Sequence, residues 1–195
     1  TARRGTLMVK ELEDMPHDEV AVLLDAHEQA VVAESFDAQV RAAGSILRAH
    51  ALRGRRSLLT ITSSPPASSH VASFDGEWRV ALELLATAEP TGTEPVARFL
   101  DRDASGASYA TELVVVTGLL DARLTDALLE RAFARRPTAL VLVEAASFGP
   151  GEAAPARDPA LLRLQAAGVP VATFRKGDDL AAKLSGFEEA YAAHG

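Results

Sequence analysis

The chain has 195 residues, 48% hydrophobic and 24% charged, an ordinary globular composition that excludes disordered, collagen-like and low-complexity classes. With 20 Lys and Arg against 27 Asp and Glu, the formal net charge is -7, the wrong sign for gripping a phosphate backbone, so nucleic acid is not an expected partner. The chain has no cysteine, which removes disulfides, thiolate metal sites, iron–sulfur clusters and cysteine nucleophiles together.

The elements follow one another in a βαβ rhythm. Thr6–Leu12 reads as a short edge strand carrying Lys10 and Glu11. Glu19–Leu24 (EVAVLL) is a continuous apolar run, the pattern of a strand buried on both faces. From Ser35 to about Leu52, apolar residues Phe36, Val40, Ala43, Leu47 and Ala51 recur at helical spacing, and Gly54 marks the stop. Ser57–Thr62 is a second buried strand, followed by a Ser/Pro loop, SSPPASSH. Trp78, Ala81, Leu82 and Leu85 mark an amphipathic helix ending near Pro90, and a short helix is expected over Val96–Asp101. Glu112–Thr117 (ELVVVT) is the clearest buried strand. A helix over Thr125–Arg135 follows, with Leu128, Leu129 and Phe133 on one face. Ala139–Glu144 is another strand, Pro159–Ala167 a short helix and Val169–Phe174 the last strand. Asp178 or Asp179 caps a helix running through Leu184, and Glu188–Ala192 adds a final helical turn or two. Short apolar strands alternating with helices predict one α/β domain over 1–195, with a doubly wound, mostly parallel sheet covered by helices on both faces.

In such sheets ligands sit beyond the carboxyl ends of the strands, at the point where strand order reverses. The candidate crevice residues are therefore Asp25, His27 and Glu28 after the first core strand, Ser63 and Ser64 after the second, and Thr117, Gly118 and Asp121 after ELVVVT. Ala145–Ser147 and Arg175–Lys176 follow the later strands. Asp25 directly follows the apolar run Val20–Leu24, where a carboxylate serves as a cation ligand, as a general acid or base, or as an acceptor that fixes the turn. Several catalytic templates fail. There is no G-x-G-x-x-G, no Walker A sequence and no G-x-S-x-G elbow. His27-Glu28 begins a zincin pattern, but the position of its second histidine is Val31, so no zinc site is expected. Ser69-His70 are adjacent in a Ser/Pro loop and make a poor nucleophile and base. The arginines at 53, 55, 56, 131, 135 and 136 lie at helix ends, where the dipole favours cations. His17, His50, His70 and His194 read as surface residues, and Trp78 as an anchor of its helix to the sheet.

Thr1-Ala2-Arg3-Arg4 runs into Leu7-Met8-Val9-Lys10-Glu11, and a Val114–Thr117 strand end and Gly168–Ser185 follow later. This order resembles the C-terminal region of the bacterial domain of unknown function 58 family (DUF 58). That region is similar to von Willebrand factor A domains, which are Rossmann-like. The resemblance implies that Thr1 lies inside a longer, membrane-anchored protein, residues 1–14 being the tail of the family signature, and that this region is cytoplasmic and itself makes no membrane contact. It further implies a protein partner, a MoxR-type AAA+ ATPase, and no cofactor. A metal-ion-dependent adhesion site in such domains uses D-x-S-x-S, a Thr, and an Asp within T-D-G. Here Asp25 and Thr117 match, while His27 and Gln29 replace the serines and Gly118 the aspartate. No metal is therefore expected, with Asp25 the best ligand if an ion binds. The leading expectation is a noncatalytic interaction or assembly domain. The alternatives are a metal-assisted hydrolase or phosphotransfer enzyme using Asp25, His27, Glu28 and Asp121, and a structural domain packing on its own N-terminal region near Thr6–Leu12.

Overall fold

The computed structural model describes residues 19–72, 74, 76–100, 107, 109–150 and 158–185. The expected strand at Thr6–Leu12 and helical turn at Glu188–Ala192 lie outside them. Three segments, VAVLL (β1, Val20–Leu24), ELVVVT (β4, Glu112–Thr117) and TALVLV (β5, Thr138–Val143), form the buried centre of a six-stranded sheet. Branched residues suit a pleat packed on both faces. β2 (Ser57–Ile61) and β6 (Val171–Phe174) flank them, and β3 (Ala67–Val71) closes one edge. The order is β3-β2-β1-β4-β5-β6, parallel except for the antiparallel β2–β3 pair. The loop expected over SSPPASSH therefore ends early. Ser69 and Val71 face inward while Ser68 and His70 face out, and serine at an inward position hides the alternation that marks a strand.

α1 (Ser35–Leu52) and α2 (Gly76–Ala86) cover one face, packing on Val20, Val22 and Leu24. α3 (Ala97–Leu100), α4 (Ala122–Phe133) and α5 (Pro159–Ala166) cover the other, over Ala21, Leu23, Val115 and Leu140. Residues 180–185 are helical, and Leu184 returns to the α1 face. Asp179 caps this last helix by accepting from Ala182 N at 3.1 Å. Trp78 packs against the α1-side core and meets Phe74 edge-on at 5.3 Å. Leu82, expected on the same inner face, is exposed.

α4 begins three residues before the expected start because Asp121 caps it. Its buried stripe runs through Leu124, Thr125, Leu128, Leu129 and Arg131. At 100° per residue Phe133 lies about 130° from the centre of that stripe, so it is exposed rather than core.

The amino ends of the strands are tied by Arg55. Its guanidinium donates to both carboxylate oxygens of Glu112, at 3.0 and 2.5 Å, and to Glu19 at 3.0 Å. Planar bidentate pairs of this kind are the strong ones. Both acids are partly solvated, so Arg55→Met is expected to cost about 1–2 kcal/mol, read as a lowered urea midpoint, with Arg55→Lys recovering only part.

His50, expected at the surface, is buried near the end of α1. Burial, reinforced by the nearby Arg55 charge, lowers its pKa from 6.5 to about 4. A folded value below the unfolded one means that the neutral ring stabilises the fold above pH 6.5. That contribution disappears as pH falls through about 4. It is on the order of 3 kcal/mol. Chemical denaturation at pH 7 and pH 5 should show the wild type losing stability that His50→Leu retains.

Candidate functional site

The strand order places the reversal between β1 and β4, because β1 connects outward to β2 on one side and the chain later returns to β4 on the other. At their carboxyl ends stand Asp25 and Thr117. Asp25 N donates to Val116 O at 2.8 Å, which fixes the aspartate at the tip of the neighbouring strand. Thr117 Oγ1 donates to Asp25 Oδ2 at 2.6 Å. The same hydroxyl accepts from Leu119 N at 3.0 Å, so the loop after β4 holds it in place. Asp25 Oδ1 accepts from His27 N at 3.0 Å and from Thr62 Oγ1 at 3.4 Å. Thr62 Oγ1 in turn accepts from Ala26 N at 2.8 Å. Asp25, Thr62 and Thr117 are all at most 2% exposed.

The carboxyl of Asp25 thus faces three donors, all from this chain. Burial raises its pKa above the ordinary aspartate value of 3.8, against the lowering effect of Thr117, the His27 amide and Thr62. His27 Nδ1 accepts from Gln29 N at 3.3 Å, capping the 3-10 turn Glu28–Ala30. That contact needs an unprotonated Nδ1, so the ring turns a lone pair to its own backbone.

Two glycines close the crevice. A Cβ on Gly118 would stand 1.9 Å from Ala30 O and 2.8 Å from Gln39 Nε2. Gln39 Nε2 donates to Ala30 O at 3.1 Å and pins that carbonyl there. A Cβ on Gly92 would stand 2.3 Å from Thr62 O. Gly92 N donates to Ala26 O at 2.8 Å and Gly92 O accepts from Glu28 N at 3.0 Å, so residues 91–93 lie across the mouth. Neither glycine has a positive φ; both are required by close approach of backbone rather than by conformation.

Of the eight residues expected to line the crevice, the structure brings Asp25, His27, Thr117 and Gly118 together. Asp25, His27 and Thr117 are buried, while Glu28 and Ser64 are exposed. Ser63 is half-buried, with its hydroxyl on Pro65 O at 2.9 Å. Asp121 Oδ1 accepts from Leu124 N at 2.7 Å, which makes it the cap of α4. The sequence reading missed three participants: Thr62, which links β2 to Asp25; Gln39, which holds Ala30; and Gly92, which covers the mouth. Thr62 was visible as the polar residue ending a buried strand. Nothing local in the sequence signals the other two.

Among the described residues no group of three or more His, Cys, Asp or Glu is placed to hold a metal ion. None of the described helices is long and apolar enough to cross a membrane. Helix N-termini at this end, which would greet a phosphate, carry their own acids, Asp121 on α4 and Asp158 on α5.

Neither a protein-family model nor a curated protein sequence matches the chain. A solved structure, the von Willebrand factor type A protein from Catenulispora acidiphila, superposes with a TM-score of 0.52 at 12% identity, covering 91% of this chain and 42% of that one. The fold is von Willebrand factor A-like. This likeness concerns backbone architecture. The six-stranded sheet of strand order 3-2-1-4-5-6 with one antiparallel edge fits it, as does a core of helices on both faces.

Proposed function

We propose that this von Willebrand factor A-like chain is a noncatalytic protein-interaction or assembly domain. In this reading the Asp25–Thr117 crevice is an internal clasp that sets the shape of the contact rim around it. The observation that carries it is the closure at Gly118. The position at which an adhesion-type metal site would place a carboxylate has Ala30 O 1.9 Å from where its Cβ would be. A hard cation needs several oxygen ligands, whereas Asp25 here receives an N–H and two hydroxyl protons. The residues do not fit the metal, and the site reads as a degenerate one.

The rim offers Glu28 and Ser64 as exposed polar contacts, with Val32 and Leu119 as exposed apolar ones. Of the four residues of the hydrolase or phosphotransfer alternative, Asp25, His27 and Asp121 each accept from a backbone or hydroxyl donor, and Glu28 stands exposed on the rim. The finer reading is a C-terminal piece of a DUF 58 protein, membrane-anchored through another part of the protein, presenting this domain in the cytoplasm to a MoxR-type AAA+ ATPase. It is supported by the N-terminal sequence resemblance and is compatible with the fold.

The test is binding of the purified chain to a purified MoxR-type ATPase by calorimetry. The rim double substitution Glu28→Lys/Ser64→Tyr is expected to weaken binding about tenfold or more, and Asp25→Asn to leave it unchanged. Hydrolytic turnover with magnesium or manganese that is lost in Asp25→Asn, with folding intact, would overturn the noncatalytic reading.

A further inference from the structure

The two edges of the sheet differ in how they are closed. On β6 the carbonyls of Pro170 and Phe174 accept from the β5 side, which leaves that of Thr173 facing outward. It accepts from Lys183 Nζ at 3.0 Å, and a lysine at an edge guards against a further strand. β3, at the other edge, reads Ala-Ser-Ser-His-Val, with no lysine, acid or proline. Among the described residues no strand lies on its outer side. The helix packed on it, α2, is also open there. Leu85 turns one flank of α2 to α1, since a Cβ on Gly44 would stand 3.4 Å from Leu85 Cδ1. Another flank carries Glu77, whose carboxylate accepts from Ala72 N at 2.7 Å, just past β3. At 100° per residue Val80 and Leu84 lie within about 60° of Glu77, and Val80 is about 140° from Leu85. Val80 is 48% exposed and Leu84 only half-buried, so the overhang above the unguarded edge is apolar.

We propose that residues 6–12 of this chain occupy the edge, lying along β3 as a seventh strand with Leu7 and Val9 under the Val80 flank of α2. The path of the chain selects this edge. Val20, Ser57 and Val71 share one row across the sheet, so the place beside β3 is three strand spacings from β1, about 14 Å. From Leu12 to Glu19 the chain spans about 23 Å when fully extended. The place beside β6 is four spacings away, about 19 Å, and lies deeper along the sheet, since Val20 pairs with Glu112, Leu113 with Thr138 and Leu140 with Val171. Residues 13–18 reach it only at nearly full stretch. Glu19 enters β1 at the amino edge, where β3 ends, so the added strand runs parallel to β3. Leu7 and Val9 alternate with Met8 and Lys10. With the apolar pair toward α2, Lys10 falls on the open face that carries Ser68 and His70. The segment thus brings to this edge the lysine that β3 lacks. The contact is two strands away from β1 and its crevice and stands independently of what the rim contacts.

The chain has no cysteine, so engineered pairs report without background. Met8→Cys and Lys10→Cys are each combined with His70→Cys in the full chain, and Lys10→Cys with Thr173→Cys reports on the opposite edge. After oxidation in dilute solution, at least one of the His70 pairs is expected to form a disulfide within a single chain, because neighbouring strands hold Cα atoms at bridging distance, and the Thr173 pair none. Hydrogen exchange read by mass spectrometry is the second measurement. Leu7→Asp/Val9→Asp is expected to speed exchange in residues 67–71 about tenfold or more while β6 is unchanged. These substitutions lie outside the buried core, so the fold itself is expected to persist. A disulfide between two chains, which would give the edge to a second copy, would overturn the proposal. So would a disulfide at Thr173, no disulfide in either His70 pair, or exchange in β3 indifferent to the double substitution.

Discussion

Gly118→Ala is expected to destabilise the fold by about 3 kcal/mol or more, because overpacking against backbone has no flexible side chain to displace. The added Cβ would stand 1.9 Å from Ala30 O, and Ala30 O is itself held by Gln39. Relief requires the 27–30 turn to lift, which in turn strips the His27 amide from Asp25. Gly118→Asp, which writes the adhesion-site residue back into the sequence, should be worse still and should gain no metal affinity. Gly76→Ala is the control: nothing lies within 4 Å of its Cβ position, so its urea midpoint should match wild type. A Gly118→Ala midpoint equal to that of the control would show that the crevice is open.

The second large effect is at the Thr117–Asp25 pair. Thr117→Val keeps the shape of the side chain but leaves Asp25 Oδ2 without its 2.6 Å donor. A buried hydrogen bond to a carboxylate is worth about 1.5–3 kcal/mol, so a loss of that size is expected, with Thr117→Ser close to wild type. Asp25→Ala strands two hydroxyls and an amide and should cost a similar amount. Asp25→Asn behaves differently. The Thr117 hydroxyl can turn to Leu119 O at 3.0 Å and accept from the new amide, so the network survives. The sign of the pH dependence follows from burial, which raises the folded pKa of Asp25 above 3.8. The contribution of the carboxyl to stability is complete below that value and is lost as pH rises through the folded pKa. The stability of Asp25→Asn relative to wild type should therefore improve from pH 4 to pH 7. A relative stability that declines over this range would mean that the three donors outweigh burial.

Much of the fold was legible because its strands are buried on both faces, and such strands appear as unbroken apolar runs. Glu19–Leu24, Glu112–Thr117 and Ala139–Glu144 all read this way, against observed strands at Val20–Leu24, Glu112–Thr117 and Thr138–Val143. Helix α1 was bounded correctly at Ser35 and Leu52 because its apolar spacing is regular and Gly54 follows. β3 was lost because its inward positions include a serine, and an edge strand needs little apolar character. Phe133 was misplaced because 3.6 residues per turn carries the stripe away from a residue four positions on. His50 was misjudged because its burial depends on how α1 lies on the sheet.

At the site, the meeting of Asp25 and Thr117 was expected from their places at the carboxyl ends of buried strands in a parallel sheet, whereas the missing carboxylate at Gly118 came from the resemblance to adhesion-type domains. The closure did not follow. Asp25 and Thr62 are 37 residues apart and Gly118 and Ala30 are 88 apart, and only the three-dimensional path of the 27–30 turn puts a carbonyl where a side chain would go. The Arg55–Glu112 clasp, 57 residues apart, was hidden for the same reason, so Arg55 read as an ordinary helix-end cation.

A crystal of the chain grown in millimolar manganese, with anomalous difference density calculated around Asp25, tests the closed clasp most directly. The account predicts no manganese peak within coordination distance of Asp25, with Thr117 Oγ1 still on Oδ2 and Ala30 O still against Gly118. A manganese ion bound by Asp25 and Thr117, with the 27–30 turn withdrawn from Gly118, would contradict it.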